Sequence, residues 1–226
     1  MSANPKQGRD PFAETRALMV ERQLRRRGIG DERLLEAFAA VPRERFVDPE
    51  LDHLAYFDQP LPIGFGQTIS QPYIVALMIE AVGIAPGDKV LEVGAGSGYA
   101  AAILGRLARS VVAIERVPEL AAAARERLAA LGAANVRVIE GDGTLGWPEA
   151  APFDAILAAA SGREVPPSLL DQLAPGGRLV MPMGAPRAVQ TLLMVTRRED
   201  GTLDRTDLGR VRFVPLIGAE GWSEKS

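Results

Sequence analysis

"KVLEVGAGSGYAAAI", Lys89–Ile103, decides how this chain folds. Lys89–Val93 reads as a short strand buried on both faces, because its aliphatic residues run without regular polar alternation. Gly94, Gly96 and Gly98 then stand where the strand gives way to an alanine-rich helix. Glycine permits a sharp turn and lets the backbone approach a ligand closely. In open, doubly wound sheets such a turn lies at the carboxyl end of a strand, where ligands bind.

Downstream of this turn, strand and helix patterns alternate. Strands are expected at 110–115, 136–142, 153–160 and 178–184, with helices over 118–132 and within 166–177. The stretch 189–216 reads as an antiparallel pair turning at Asp200-Gly201. Upstream, residues 1–12 read as a disordered tail. A moderately amphipathic helix follows from Glu14, with Leu18, Met19, Arg22 and Leu24 on its apolar period, and Gly28 and Gly30 end it. Asp31 is placed to cap a second helix over 32–41, which Pro42 ends. The segment 42–66 holds four prolines and reads as a long irregular loop; a further helix runs from Pro72 to Gly83. Strand–helix alternation implies right-handed crossovers and a sheet covered on both faces. The expectation is an α/β fold: a mostly parallel Rossmann-like sheet, N-terminal helices and an antiparallel C-terminal strand pair. It forms one domain over 13–226, with helices and an active-site loop in 13–83 and a binding core in 84–226.

Composition narrows the chemistry. The 226 residues are 47% apolar with a net charge of −3, so there is core enough for a globular domain and no basic stripe for nucleic acid. Arg25-Arg26-Arg27 reads as the cationic last turn of a helix. There is no cysteine and a single histidine, His53, which excludes disulfides, thiolate chemistry and multi-histidine metal sites. No apolar run reaches membrane-spanning length and the N-terminus lacks a secretory pattern, so a cytoplasmic protein is expected.

The glycine pattern alone does not choose a ligand, since Gly96 opens a run that satisfies the loose dinucleotide pattern. Glu92, just before the loop, turns the pattern into E-x-G-x-G-x-G, which resembles the S-adenosylmethionine loop of class I methyltransferases. A carboxylate there suits a ligand with an ammonium and a sulfonium, and it would repel a pyrophosphate. Glu115, ending the second core strand, is placed to accept from ribose hydroxyls, a reading shared with NAD enzymes. Asp142, after the third, could accept from an adenine amino group. No cluster of general bases is evident, which favours an acceptor that is already an anion.

Longer stretches then resemble one family. "AYFDQPLPIGFGQTISQPYIVALMIEA" (55–81), "KVLEVGAGSGY" (89–99), "EGDGTLGW" (140–147), the run 152–184 and "RFVPL" (212–216) together resemble the protein-L-isoaspartate O-methyltransferases, in their bacterial form, from Thr15 to Trp222. "GQTISQPYIVA" carries most of that resemblance. It implies methyl transfer from S-adenosylmethionine, leaving S-adenosylhomocysteine, to the free α-carboxylate of L-isoaspartyl residues in damaged proteins. The methyl ester then collapses to a succinimide. It further implies that Ser70 is the active-site serine, with Gln67, Thr68 and Ile69 in the loop beside both ligands. Glu92, Gly94, Gly96, Gly98, Glu115, Arg116, Asp142 and Gly143 would hold the cofactor. Thr68, Ser70, Val214 and Leu216 would meet the substrate, the last two as an edge strand pairing with the peptide backbone. Partners would be isoaspartyl proteins and peptides, without nucleic acid, membrane or metal, and the enzyme would act as a monomer.

Ser70 has a local reading as well. It would cap the helix from Pro72 by accepting from an N–H near Tyr73, and the helix terminus would help it to orient a carboxylate. The chain departs from the family pattern at Tyr73 and Val75, where some relatives carry histidines. It departs again at Ser161-Gly162, and 217–226 matches no family contact. The rival readings are a methyltransferase for a small molecule or RNA, a non-catalytic binding module, and an NAD oxidoreductase.

Overall fold

The computed structural model describes residues 10–224. The first nine residues of the expected tail lie outside that range; Asp10 is placed, its carboxylate accepting from the Phe12 N–H and pairing with Arg16. Helix α1 (Ala13–Met19) continues into a π turn, Val20–Leu24, and a 3-10 turn, Arg25–Arg27. The π turn explains why a 3.6 period fits poorly. Met19, Val20 and Leu24 are buried together while Leu18 is 40% exposed, because the wider turn brings Leu24 back to the core face. Arg25, Arg26 and Arg27 pair with Glu21, Glu32 and Asp58, as a structural basic turn should. The Asp31 carboxylate accepts from the N–H groups of Arg33 and Leu34 and caps α2 (Glu32–Ala40).

The segment 42–66 is more ordered than its prolines suggest. Two 3-10 turns, Arg43–Phe46 and Pro49–Leu54, lead into a hairpin of β1 (Leu61–Gly64) and β2 (Gln67–Ile69). Its tip, Gly64-Phe65-Gly66, has three successive positive φ angles of 88°, 52° and 70°. Strands this short carry no readable period, which is why the hairpin was legible only as a loop. Then come α3 (Pro72–Val82), β3 (Lys89–Val93), α4 (Tyr99–Leu107), β4 (Ser110–Glu115), α5 (Pro118–Ala130), β5 (Val136–Glu140), β6 (Phe153–Ala158), α6 (Pro167–Asp171), β7 (Leu173–Met183), β8 (Gln190–Arg197) and β9 (Leu203–Val211).

The main sheet has the order β5-β4-β3-β6-β7-β8-β9, parallel from β5 through β7 and antiparallel from β7 through β9. This is the expected mostly parallel α/β architecture with N-terminal helices and an antiparallel C-terminal pair. Side chains alternate between the faces, so each apolar strand feeds two cores. Val90, Val111, Ala113, Ala155 and Leu157 join one core with the N-terminal helices, and Leu91, Val93, Val112, Ile114 and Ile156 join the other. β3 and β6 are neighbours although two strands intervene in sequence, so the order reverses between them and opens a crevice above their carboxyl ends. Among the described residues, no helix is long and apolar enough to cross a membrane, and no cluster of acids and histidine could hold a metal ion.

Candidate active site

The glycine loop, the β2–α3 junction and the end of β6 surround a cavity at the switch point. Its walls include Gln67, Thr68, Ile69, Ser70, Gly94 and Gly96, together with Glu92, Glu115, Arg116 and Gly143. These expected residues therefore come together from four separate segments.

Gly94 has φ of 88° and faces the cavity, so a side chain there would both strain the turn and narrow the site. Gly98, also expected at the cofactor, is not in the cavity wall. Its α-carbon faces α5, where a Cβ would come within 3.2 Å of Ala124 Cβ, so this glycine serves close packing of two helices.

Glu92 is 2% exposed, and its Oε2 has no hydrogen-bond partner. Burial pushes its carboxyl well above the usual range, and the nearby Glu115 pushes it further. An orphaned acid in a cavity wall asks for a cationic or hydrogen-donating ligand. Glu115 is held differently: Oε1 accepts from Val117 N–H at 2.9 Å and Oε2 from Gly96 N–H at 2.8 Å. Each oxygen keeps a second lone pair, which fits it to accept from a pair of hydroxyls. The acids present thus fit the ammonium, sulfonium and ribose of S-adenosylmethionine and leave no place for a pyrophosphate.

Asp142 departs from expectation. Its Oδ1 accepts from Thr144 N–H and Oγ1, and its Oδ2 accepts from Ala219 N–H at 2.7 Å, so it ties down the C-terminal segment and does not line the cavity. That segment, for which the sequence offered no clear match to family contacts, closes one side of the cavity. Glu220 accepts from Ser168 N–H and Oγ, Glu224 pairs with Arg116 at 2.7 Å, and Ile217 enters the wall.

A second, open groove of about 770 Å³ adjoins the first cavity. Thr68, Ser70, Ala159 and Val214 line both, so the shared wall is where two ligands would meet. Leu216, expected at the substrate, is 5% exposed and faces only the cofactor cavity. The expected edge strand is also corrected. β9 ends at Val211, and beyond it the described residues form isolated bridges and no strand: Pro215 with Ser161, and Ile217 with Trp222. Ser161 N–H donates to Val214 O at 2.8 Å and Leu216 N–H donates to Ser161 O at 2.9 Å, so a docking peptide cannot use those groups. The Ser161-Gly162 departure therefore makes an internal tie that uses one carbonyl and one N–H of that segment.

Ser70 is not the cap of α3. The cap residue is Gln71, and the Tyr73 N–H donates to Asp58 Oδ1 at 3.1 Å. Asp58 also accepts from Gln71 Nε2 and pairs with Arg27, so an internal carboxylate already occupies the helix terminus. The Ser70 hydroxyl has no partner among the described residues, while its carbonyl accepts from Arg43 Nη2 at 2.8 Å. Arg43 is fully buried; its Nε donates to Ala55 O at 2.7 Å and its guanidinium lies 4.7 Å from the Tyr99 ring centre. Arg43 Nη1 and the Tyr99 hydroxyl have no hydrogen-bond partner, and burial lowers the arginine's pKa and pushes the tyrosine up to about 12. Sequence reasoning missed Arg43, since nothing local in "PRERF" says that one arginine turns inward. His53, with its side chain 67% exposed, lines neither cavity.

A profile of the protein-L-isoaspartate(D-aspartate) O-methyltransferases matches residues 14–221. A protein-L-isoaspartate O-methyltransferase of Methylorubrum populi is 59% identical over 206 residues, covering 91% of this chain and 96% of its own. Protein-L-isoaspartate O-methyltransferase 2 of Pelobacter propionicus is 55% identical, covering 92% of each chain. Among solved structures, a protein-L-isoaspartate O-methyltransferase of Plasmodium falciparum in complex with S-adenosyl-L-homocysteine superposes with a TM-score of 0.77 at 28% identity. It covers 89% of this chain and 98% of that one.

Proposed function

The chain belongs to the protein-L-isoaspartate(D-aspartate) O-methyltransferase family, and on that premise we propose how its residues carry out the reaction. The enzyme transfers a methyl group from S-adenosylmethionine to the α-carboxylate of L-isoaspartyl residues in proteins, giving an ester that collapses to a succinimide. S-adenosylmethionine supplies an electrophilic methyl group on a sulfonium. The observation that carries the assignment of roles is the wall at Thr68 and Ser70, common to an acid-lined cavity and an open groove.

Glu92 would accept from the donor's cationic end, and Glu115 from its ribose hydroxyls. Gln67, Ile69, Gly94, Gly96, Arg116 and Gly143 would complete that side. Thr68, Ser70 and Val214 would meet the acceptor. A carboxylate with a pKa near about 4 is ionised at neutral pH, so no general base is required. What the site must do is aim one carboxylate oxygen and exclude water. The unpartnered Ser70 hydroxyl is free to donate to that anion, and Ile69, Leu157 and Ala160 provide apolar wall around it. Ser70 therefore orients the acceptor and is not a nucleophile. Substrates of this kind and this donor support a cytoplasmic place of action.

Methyl transfer from labelled donor to two peptides that differ only in an isoaspartyl or aspartyl linkage tests the reading. Label should enter the isoaspartyl peptide alone and leave as methanol in mild base; equal labelling of both would sink it. Ser70→Ala should lower turnover by roughly ten- to a hundredfold, the worth of a hydrogen bond to a charged group. Donor affinity should hold within about twofold, because Ser70 contacts the acceptor side. A matching fall in donor affinity, read by calorimetry, would remove Ser70 from its orienting role.

A further inference from the structure

The groove on the acceptor side carries cationic side chains along its lining. Arg187 from the β7–β8 loop, Arg210 from β9 and Arg212 just beyond it all line this groove, and all three are exposed. No aspartate or glutamate lines it. Arg187 and Arg212 have no hydrogen-bond or ion-pair partner among the described residues, while Arg210 donates to the Thr191 hydroxyl. The chain as a whole carries a net charge of −3, so this patch reverses the local sign. The exposed arginines at the end of the first helix differ, since Arg25, Arg26 and Arg27 pair with Glu21, Glu32 and Asp58. Unpaired arginines around a groove that reaches Ser70 form a field for an anion larger than one carboxylate.

Resting on the methyltransferase reading above, we propose that this groove selects among damaged sites by charge: it favours isoaspartyl segments flanked by acidic residues. The acceptor carboxylate is common to every isoaspartyl substrate and is met at Thr68 and Ser70. The arginines lie farther along the groove with Pro186, Val189 and Val211, where the neighbouring residues of the peptide would pass. Because Ser161 already bonds the Val214 carbonyl and the Leu216 N–H, fewer main-chain groups are open to a peptide at that edge, and side-chain charge gains weight. Exposed guanidinium groups hold carboxylates through bidentate contacts that salt screens.

The test uses the full chain, labelled S-adenosylmethionine and three isoaspartyl peptides of equal length whose flanking residues are Glu, Gln or Lys. KM should rise in that order, by roughly fivefold at each step at low ionic strength, since two or three exposed ion pairs of modest strength are involved. Added salt should draw the three values together. The double variant Arg187→Gln, Arg212→Gln should raise KM for the Glu-flanked peptide and lower it for the Lys-flanked one. Equal KM values in the wild type would overturn the charge selection while leaving the activity in place. An ordering that survives both salt and the double substitution would overturn the assignment to these arginines. Failure to methylate any of the three would overturn the activity reading and this inference with it.

Discussion

Glu92→Gln is expected to weaken S-adenosylmethionine binding by roughly a hundredfold, the equivalent of one charged hydrogen bond of about 2–3 kcal/mol. The same change should raise the Tm of the cofactor-free protein. Both effects follow from one fact: Glu92 is buried with an unpartnered Oε2. The folded protein binds the Glu92 proton more tightly than the unfolded chain does, for which the ordinary value is 4.5. Below that value the carboxyl is neutral in both states and costs no charge burial. As pH rises above it, the unfolded chain ionises first, and native stability is progressively lost until the raised native pKa is passed. Glutamine does not titrate, so the stability gap between variant and wild type should widen from about pH 4.5 upward. A cationic ligand reverses the preference and favours the ionised form, so donor binding should release a proton from the wild type but not from the variant. Calorimetry in buffers of different ionisation enthalpy reads that proton, and thermal unfolding across pH reads the stability. Wild-type affinity in the variant would show that Glu92 does not meet the donor's charge.

Arg43→Met is expected to cost about 2–4 kcal/mol of stability, because it strips partners from one buried and one part-buried carbonyl group. Those carbonyls belong to Ala55 and Ser70, and Arg43 holds both. Turnover should fall by tenfold or more, roughly the loss that a displacement near 1 Å produces in a positioned group. Arg43 is thus a positioning residue for the Ser70 junction and does not itself touch either ligand. Arg43→Lys can keep the charge and reach one carbonyl, so it should recover part of the turnover. Urea unfolding measures the stability; kcat and KM measured well below the Tm separate the two effects. If kcat were normal in a folded Arg43→Met protein, the arginine would be purely structural.

How far the site could be read before folding varies residue by residue. Glu92, Gly94 and Gly96 were legible because strand, turn and ligand wall lie within a few residues of one another. Glu115 was legible because it ends the next parallel strand, and parallel packing brings strand ends to one rim, while Gly143, in the turn past β5, was named only through the family resemblance. Gly98 stands outside the cavity wall, since a glycine that faces a cavity and one that faces a helix look alike in sequence; the 3.2 Å approach to Ala124 appears only in the fold. The tie from Asp142 to Ala219 was not legible because the two lie 77 residues apart. Ser70 was rightly placed at a junction but wrongly made a cap, since Asp58, 15 residues before Tyr73, reaches its N–H first.

The sequence by itself determined the sheet, its parallel order through the glycine turn, and the acids at the strand ends. Those features follow from periodicity, turn chemistry and strand direction, all of which act over a few residues. Tertiary structure alone decided which polar groups are spent on the fold and which remain for a ligand. Arg43 turns inward beneath Ser70, Asp58 and Asp142 are taken by distant N–H groups, and Ser161 bonds the Val214 carbonyl. Glu92 and the Ser70 hydroxyl are left without partners at the cavity. A hydrogen bond is decided by which groups meet at about 3 Å in the folded chain, and a linear sequence carries no such distance.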